Sequence, residues 1–244
     1  MTLEAGDWVA ADPDANAVVR IDAEGLVEPI SSGGSFRYPS GVAVGVDGRL
    51  WVIDPDANAL FRVAPASGAQ TVVASGAPFV YPTGVAVDTD GDLLVADPDA
   101  QQLWRVDPDS GVATPELSLA GLPYPSDLAL DSAGRYRVAD PVDGAVHDVD
   151  PGNGAAAAIT EDDWLAFPSG VGVESDDRLL VADPDAAAFV HVDPDSGVQT
   201  LALAGAGLAY PTGVAVVPEP ARGLALAAGL AALALLSRGR RCAV

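Results

Sequence analysis

The stretch YPTGVAV at residues 81–87 occurs again without change at residues 210–216. Related copies are YPSGVAV at 38–44, YPSDLAL at 124–130 and FPSGVGV at 167–173, and each copy starts 43 residues after the one before. A second motif repeats in step, apart from a first interval that is one residue shorter: ADPDANAVVRID from Ala11, IDPDANALFRVA from Ile53, ADPDAQQLWRVD from Ala96, ADPVDGAVHDVD from Ala139 and ADPDAAAFVHVD from Ala182. Five copies at a fixed spacing predict a repeat architecture.

One repeat has the pattern of four short antiparallel strands. In the copy that starts at Tyr81, apolar runs at 84–88, 93–96 and 103–107 alternate with turn sequences, and a fourth strand is expected near 112–119. Asp90-Gly91 is expected to supply the positive backbone angles of a tight hairpin, and Asp97-Pro98 has the composition of a turn. Because no helical period is present, the sequence predicts an all-β fold.

The strand pattern and the two chain ends together predict a closed ring. Runs such as GVAV and LLVA are apolar throughout, which indicates that both faces of each sheet are covered. Four-stranded sheets stacked around an axis meet this need, and they form a β-propeller. Residues 8–11 already form a second strand, whereas 210–216 form a first strand that lacks its continuation, so the two fragments complete one blade and leave no open edge. We predict a five-bladed β-propeller over residues 1–217, with blades at 1–37 plus 210–217, 38–80, 81–123, 124–166 and 167–209.

The repeated residues resemble a known family. The pattern P-x-G-V-A-V-D, then D-G, then L-x-V-A-D and N/Q-x-L-x-R-V is similar to the NHL repeat and its six-bladed relatives, which include gluconolactonase-like lactonases and streptogramin lyase-like propellers. The resemblance covers roughly residues 6–216. It implies the fold and leaves the function open, because such propellers host binding, scaffolding and several enzyme activities. A count of five blades departs from the usual six.

The composition describes an acidic protein. All 12 basic residues are arginine, and the net charge is −23. Four of these arginines and one of the 35 acidic residues follow residue 217, so residues 1–217 carry 8 arginines against 34 acids, or −26. Such a surface repels nucleic acid and favours cations such as Ca²⁺. The single cysteine, Cys242, excludes an internal disulfide and a cysteine-based metal site.

The last 27 residues differ in character from the rest. Residues 221–237 are almost entirely apolar, at the short limit for a membrane-spanning helix, and an arginine cluster at 238–241 follows them. The order of Pro218, Glu219 and Pro220, an apolar helix and a basic end closely resembles the PEP-CTERM sorting signal of Gram-negative bacteria. The resemblance implies recognition by an exosortase, removal of the helix and delivery to the surface or the extracellular matrix; its matching residues are Pro218, Glu219, Pro220, Arg238, Arg240 and Arg241. The alternative is an uncleaved C-terminal anchor.

Export also requires a signal peptide. MTLEAGDWVA contains neither a basic start nor an apolar run. We therefore expect an upstream segment, with a signal peptide and room for a further strand or blade, before Met1. A cytoplasmic protein with a fortuitous tail is the alternative.

Two columns of aspartate recur in the repeats. The first comprises Asp12, Asp54, Asp97, Asp140 and Asp183, and the second comprises Asp14, Asp56, Asp99 and Asp185, with Asp143 displaced by one residue. They predict either an acidic rim that binds Ca²⁺ through carboxylate oxygens or a carboxylate that caps its own turn in every blade. The DxDxN openings do not continue as EF-hand loops, because Ala17 and Ala59 stand where that loop requires glycine.

An aromatic column precedes the innermost strand and consists of Tyr38, Tyr81, Tyr124, Phe167 and Tyr210. These rings are expected either to bind sugars together with the carboxylates or to wedge between neighbouring blades. The two histidines align with different columns, His147 with Trp104 and His191 with Arg105, so they are not expected to converge.

The sequence favours a non-catalytic interaction protein. The Glu, Asn and Asp metal set of lactonase-type propellers does not map onto this chain, whose acids recur in every repeat. We therefore expect an exported surface or matrix protein without a cofactor, apart from a possible role for Ca²⁺, with an exosortase and polysaccharide or surface proteins as partners. A secreted enzyme of the lactonase or lyase type is the alternative. The fourth repeat departs most from the pattern and is the one expected to have specialised.

Overall fold

The computed structural model describes residues 2–160, 165–205 and 207–219. Within these ranges the chain forms twenty β-strands and no helix, so no described segment is a helix able to span a bilayer. The predicted apolar helix at 221–237 lies outside the described residues.

The strands follow the repeat. The first three are β1 (Trp8–Asp12), β2 (Ala17–Ile21) and β3 (Val27–Ser32). The next repeat contains β4 (Gly41–Val44), β5 (Leu50–Asp54), β6 (Ala59–Ala64) and β7 (Ala69–Ser75). It is followed by β8 (Gly84–Val87), β9 (Leu93–Asp97), β10 (Gln102–Val106) and β11 (Ala113–Ser118). Then come β12 (Asp127–Leu130), β13 (Tyr136–Asp140), β14 (Ala145–Val149) and β15 (Ala156–Ala158). The last five are β16 (Gly170–Val173), β17 (Leu179–Asp183), β18 (Ala188–Val192), β19 (Gln199–Ala204) and β20 (Gly213–Val216).

These strands form five antiparallel sheets of four, which are the five predicted blades. Four sheets use consecutive strands, and the remaining sheet has the order β20-β1-β2-β3. In that first blade Trp8 pairs with Val216 and Ala11 pairs with Gly213. The predicted closure of the ring by the two ends of the repeat region is therefore confirmed.

The apolar core is divided into five clusters, each of which lies between two neighbouring blades. One cluster joins Val9 of the first blade to Val52 and Phe61 of the second, and another joins Ala10 of the first blade to Leu180 and Phe189 of the fifth. Both faces of every sheet are thus covered, which explains why β5, β9 and β17 are buried at every position.

Glycine opens the innermost strand because backbones approach closely at the axis. A Cβ atom on Gly41 would lie 2.6 Å from the carbonyl oxygen of Thr83, and one on Gly213 would lie 2.4 Å from that of Ser40. These distances are too short for any side chain without displacement of the neighbouring blade. The fourth blade carries Asp127 at this position.

The turn after the first strand differs in detail from the prediction. A two-residue type I′ hairpin needs positive φ at both central residues, but in this turn only Gly91 has a positive φ, of 93°. Val87 pairs with Leu93, and the backbone of Asp88 bonds to that of Asp92, which leaves a three-residue loop. Glycine supplies its single left-handed residue.

Candidate functional site

The buried aspartates of the first column tie each blade together. In the third blade the carboxylate of Asp97 accepts hydrogen bonds from the backbone N–H groups of Val80 (2.7 Å), Tyr81 (3.0 Å) and Ala100 (3.2 Å). One carboxylate thus caps its own turn and also holds the loop that enters the innermost strand. The same arrangement recurs at Asp12, Asp54 and Asp183. Asp140 accepts one N–H from the entering loop, that of Tyr124, because Pro123 has no N–H, and two from its own turn; all five carboxylates are buried.

This geometry agrees with the turn-capping interpretation of the column. Each carboxylate is engaged by N–H donors of its own turn and of the loop that enters its blade. The described residues contain no group of three or more His, Cys, Asp or Glu that could hold a metal ion. Calcium binding by Asp12, Asp54, Asp97, Asp140 and Asp183 stays a prediction.

The five aromatic residues converge on the axis. With the serine or threonine two positions later in each repeat, they line one cavity of about 180 Å³ at one face of the disc. The rings are half-buried. A volume of this size is more than ten times the ~15 Å³ that a water molecule needs, so the cavity has room for a small organic group. We call it the aromatic mouth; its rings are Tyr38, Tyr81, Tyr124, Phe167 and Tyr210.

The floor of the aromatic mouth is a closed ring of hydrogen bonds. In every blade a serine or threonine hydroxyl donates to the backbone carbonyl of the equivalent residue in the next blade, at 2.7–3.1 Å. The five bonds run Ser40 to Thr83, Thr83 to Ser126, Ser126 to Ser169, Ser169 to Thr212 and Thr212 to Ser40. The hydroxyl ring fixes the spacing of the loops that carry the aromatic side chains.

Directly below the hydroxyl ring lies a carboxylate that the sequence analysis did not single out. Asp127 replaces the glycine of the other four copies and is only 2% exposed. Its Oδ2 accepts a hydrogen bond from the backbone N–H of Val171 (3.1 Å), whereas its Oδ1 has no hydrogen-bond partner among the described residues. Burial raises the pKa of Asp127 well above its ordinary value. The signal was present in the aligned motifs, where YPSD replaces YPSG.

The tyrosines of the mouth alternate with exposed carboxylates of the second column. Asp56 lies close enough to Tyr38 and Tyr81 to contribute to a raised pKa of both, although burial is the larger cause. Burial, then Asp99, raises the pKa of Tyr124 to about 12. All four tyrosines are therefore neutral at physiological pH. Around the mouth the order is Asp185, Tyr210, Asp14, Tyr38, Asp56, Tyr81, Asp99 and Tyr124.

The fourth blade breaks this alternation. Val142 stands where the other blades carry an exposed aspartate, and it is 66% exposed. The next ring of the mouth is Phe167, which lacks a hydroxyl group. The aromatic mouth consequently has an acidic sector and a smaller apolar sector.

The two histidines have separate partners. His147 lies 3.3 Å from Asp143, and His191 lies 3.3 Å from Glu174 and forms a T-shaped ring contact with Trp8. Neither residue lines the aromatic mouth.

A second cavity, of about 340 Å³, lies at the opposite face, which we call the hairpin face because the turns after the innermost strands form it. Asp131, Glu174 and Asp177 contribute to its wall together with Pro218 and Glu219. Pro218 and Glu219 of the predicted sorting motif therefore follow β20 at the face opposite the mouth. The other residues of that motif, Pro220, Arg238, Arg240 and Arg241, lie outside the described residues.

Comparison with known families gives a match in the third blade. Residues 79–105 match the family model of the NHL repeat. A 62-residue stretch is 37% identical to a gluconolactonase of Zymomonas mobilis; it represents 25% of this chain and 17% of that relative. The aligned stretch thus spans about a sixth of the relative's length.

Similar solved structures share the fold at low sequence identity. Virginiamycin B lyase from Staphylococcus aureus aligns with a TM-score of 0.54 and 17% identity, over 82% of this chain and 71% of the lyase. A chain of a nidogen/laminin complex aligns with a TM-score of 0.65 and 14% identity, over 87% and 81% of the two chains. A protein of unknown function from Bacteroides thetaiotaomicron reaches a TM-score of 0.65 at 18% identity, over 90% and 64%. The solved structures thus share the β-propeller fold with this chain, and residues 79–105 match the NHL repeat.

Proposed function

We propose that this propeller is an exported, non-catalytic interaction protein of the cell surface or extracellular matrix, which binds its ligand at the aromatic mouth. One observation carries the proposal: the mouth is built from equivalent residues of all five blades, namely five rings above five hydroxyl groups. Repeated residues of this kind form a recognition surface, whereas a catalytic centre needs different groups in distinct roles.

Processing by an exosortase is part of the same proposal. Its support is the sequence order of Pro218-Glu219-Pro220, the apolar residues 221–237 and the arginine cluster with Arg238, Arg240 and Arg241. The chain would be held transiently at the inner membrane by its C-terminal segment and then released to the surface or matrix. The partners expected on this route are an exosortase during processing and, afterwards, exopolysaccharide or surface proteins.

The mass of the mature protein from its native host tests this route. We expect a C-terminal peptide that ends near residues 218–220, and an N-terminal peptide that identifies any upstream segment. A protein that carries Arg238, Arg240 and Arg241 in the membrane fraction contradicts processing.

A Tyr81→Leu variant tests the binding role separately, because it should be exported normally and then retained less at the surface or in the matrix. Equal retention of this variant and the native protein contradicts binding at the mouth.

A secreted lactonase-like or lyase-like enzyme is the second candidate. The match to gluconolactonase favours it, and so does the blade-specific Asp127 on the axis. Turnover of gluconolactone by the purified protein, removed by Asp127→Asn, would support this candidate. Equal rates with and without the protein would exclude it for this substrate.

A further inference from the structure

The charges of the disc are distributed unequally between its two faces. Arginines pair with acids at the hairpin face: Arg20 with Asp7, Arg49 with Asp47, Arg105 with Asp88 and Asp92, Arg137 with Asp131, and Arg178 with Glu174 and Asp176. In the described part of the chain, no arginine forms an ion pair with Asp14, Asp56, Asp99 or Asp185. The four carboxylates around the aromatic mouth are exposed and lack a basic partner, so they create a negative potential there.

The aromatic rings reinforce this potential. The face of an aromatic ring carries partial negative charge and attracts a cation within about 6 Å of its centre. The tyrosines are neutral at physiological pH, since even an unperturbed tyrosine has a pKa near ~10 and burial raises the pKa of these four further. Their hydroxyl groups can therefore both donate and accept hydrogen bonds.

A third observation comes from below the floor. Asp127 is buried on the axis with Oδ1 unpartnered. A carboxyl group in this state is stabilised in its ionised form by positive charge nearby. Rings and rim therefore both favour a positive ligand in the mouth, and a positive ligand there would in turn favour ionisation of the carboxyl group beneath the floor.

The shape of the mouth excludes a bare metal ion as the best ligand. Its wall consists of rings and hydroxyl groups, and the buried aspartates beside it are engaged by backbone N–H groups. Val142 and Phe167 add an apolar sector to the acidic one. A ligand that matches both sectors has a positive head and a carbon body.

We propose that the aromatic mouth binds an organic ammonium group, either a quaternary alkylammonium ion or the protonated amine of an amino sugar. The inference rests on the proposed interaction role and names its ligand class. The rings of Tyr38, Tyr81 and Tyr124 surround the positive group, and Asp14, Asp56 and Asp99 neutralise it from the rim.

Calorimetric titration of the full chain tests the proposal with two matched pairs of probes. Choline is compared with its uncharged carbon analogue 3,3-dimethyl-1-butanol, and a glucosamine oligomer is compared with its N-acetylated form. We expect the charged member of at least one pair to bind at least tenfold more tightly than the uncharged member, with weaker binding at high salt. The pair that shows this preference identifies the source of the ammonium group. Equal affinity within both pairs, or no binding by all four probes, overturns the proposal.

Variants locate the site. Tyr81→Leu removes a ring and is expected to weaken binding by roughly 3- to 30-fold, the range of a cation–π contact. Asp56→Asn removes an exposed rim carboxylate and is expected to weaken binding by roughly 2- to 5-fold, the range of an exposed ion pair. Tyr81→Phe keeps the ring and should retain most of the affinity. Arg37→Gln, which removes an exposed positive charge beside Tyr38, should strengthen binding.

The matched control is Asp109→Asn, an equal change of charge at an exposed turn of the opposite face, and it should leave the affinity unchanged. Equal effects of Asp56→Asn and Asp109→Asn overturn the proposal, because binding would then follow net charge alone. Loss of surface retention by Tyr81→Leu without any preference for charged probes would overturn the ligand class while the interaction role stands.

Discussion

The hydroxyl group of Thr212 donates a 2.8 Å hydrogen bond to the backbone carbonyl of Ser40, across 172 residues of sequence. This bond closes the hydroxyl ring, and it joins the start of β20, the strand that completes the first blade, to the start of β4 in the second blade. Closure of the propeller is thus secured twice, by strand pairing and by a side chain on the axis.

Removal of this hydroxyl group should destabilise the ring. Thr212→Val keeps the shape of the side chain, and it is expected to lower the free energy of unfolding by about 1–2 kcal/mol because the bond is buried. Urea denaturation measures the effect. Thr71→Val, at an exposed position of β7, is the control and should change stability by less than about 0.5 kcal/mol. Equal effects at both positions would contradict a role for the ring in closure.

The carboxylate of Asp97 should be essential for the third blade. Asp97→Ala leaves three backbone N–H groups without their acceptor, and we expect a loss of about 2–4 kcal/mol in the free energy of unfolding. Asp99→Ala, two residues later and exposed, is expected to change stability by less than about 0.5 kcal/mol.

Calcium distinguishes the two interpretations of the same column. If the carboxylates only cap turns, millimolar calcium leaves the melting temperature unchanged, and Asp97→Ala is equally destabilising with calcium and with a chelator. A rise of the melting temperature with calcium, abolished by Asp97→Ala and by Asp183→Ala, would establish a metal site.

Asp127 makes stability depend on pH in a defined direction. The pKa of its carboxyl group is raised in the folded state, so its contribution to stability is fully present below the unfolded-state pKa of ~3.9 and is lost as the pH rises through the folded-state pKa. Asp127→Asn cannot ionise, so its stability relative to the native protein should increase as the pH rises above ~3.9. The gain should shrink toward pH 4.

Melting temperatures of both proteins from pH 4 to pH 8, a range that spans ~3.9 and neutrality, test this expectation. The quantity to compare is the difference in melting temperature between the two proteins at each pH, because other groups also change the stability with pH. Arg105 is the main cause of a lowered pKa of Glu116. The stability that Glu116 contributes is present above its unfolded-state pKa and is lost as the pH falls through its folded-state pKa. A stability difference that does not change with pH would show that Asp127 acts by packing alone.

Ala187 offers a stabilising substitution. It has a left-handed backbone with φ of 49°, where the equivalent positions of the first two blades carry Asn16 and Asn58. The amide of Asn58 donates to the carbonyl of Phe79, so asparagine both tolerates the conformation and bonds to the adjacent loop. We expect Ala187→Asn to raise the free energy of unfolding by about 0.5–1.5 kcal/mol.

Ala187→Gly separates the two contributions, because glycine relieves the backbone strain but supplies no amide. It should give part of the gain. A loss of stability with both substitutions would contradict the assignment of strain at this turn.

The fold was predictable because the sequence contains five copies of the same strand and turn pattern. YPTGVAV at both 81–87 and 210–216 set the period, and the incomplete repeats at the two ends required one composite blade. The hairpin geometry was less predictable, since Asp90-Gly91 suits more than one turn and the choice depends on which residues of the adjacent strands pair.

The candidate site was predictable only in part. The aromatic and aspartate columns were evident, but their meeting at a cavity depends on how five blades are arranged around an axis. The hydroxyl ring joins residues 43 positions apart through backbone carbonyls, which carry no sequence signal. Asp127 was visible as a departure from glycine, but its burial and its unpartnered oxygen follow from the closeness of Gly84 and Val171 in three dimensions.

The innermost strands all run from the aromatic mouth to the hairpin face, and β20 is no exception. The chain therefore leaves the disc beside Asp7, where the backbone N–H of Val217 bonds to the carbonyl of that residue, and Glu219 follows at the edge of the hairpin-face cavity. A tether made through the residues after Glu219 would therefore be attached at the hairpin face. The aromatic mouth lies at the opposite face, so its entrance is on the side of the disc away from Glu219.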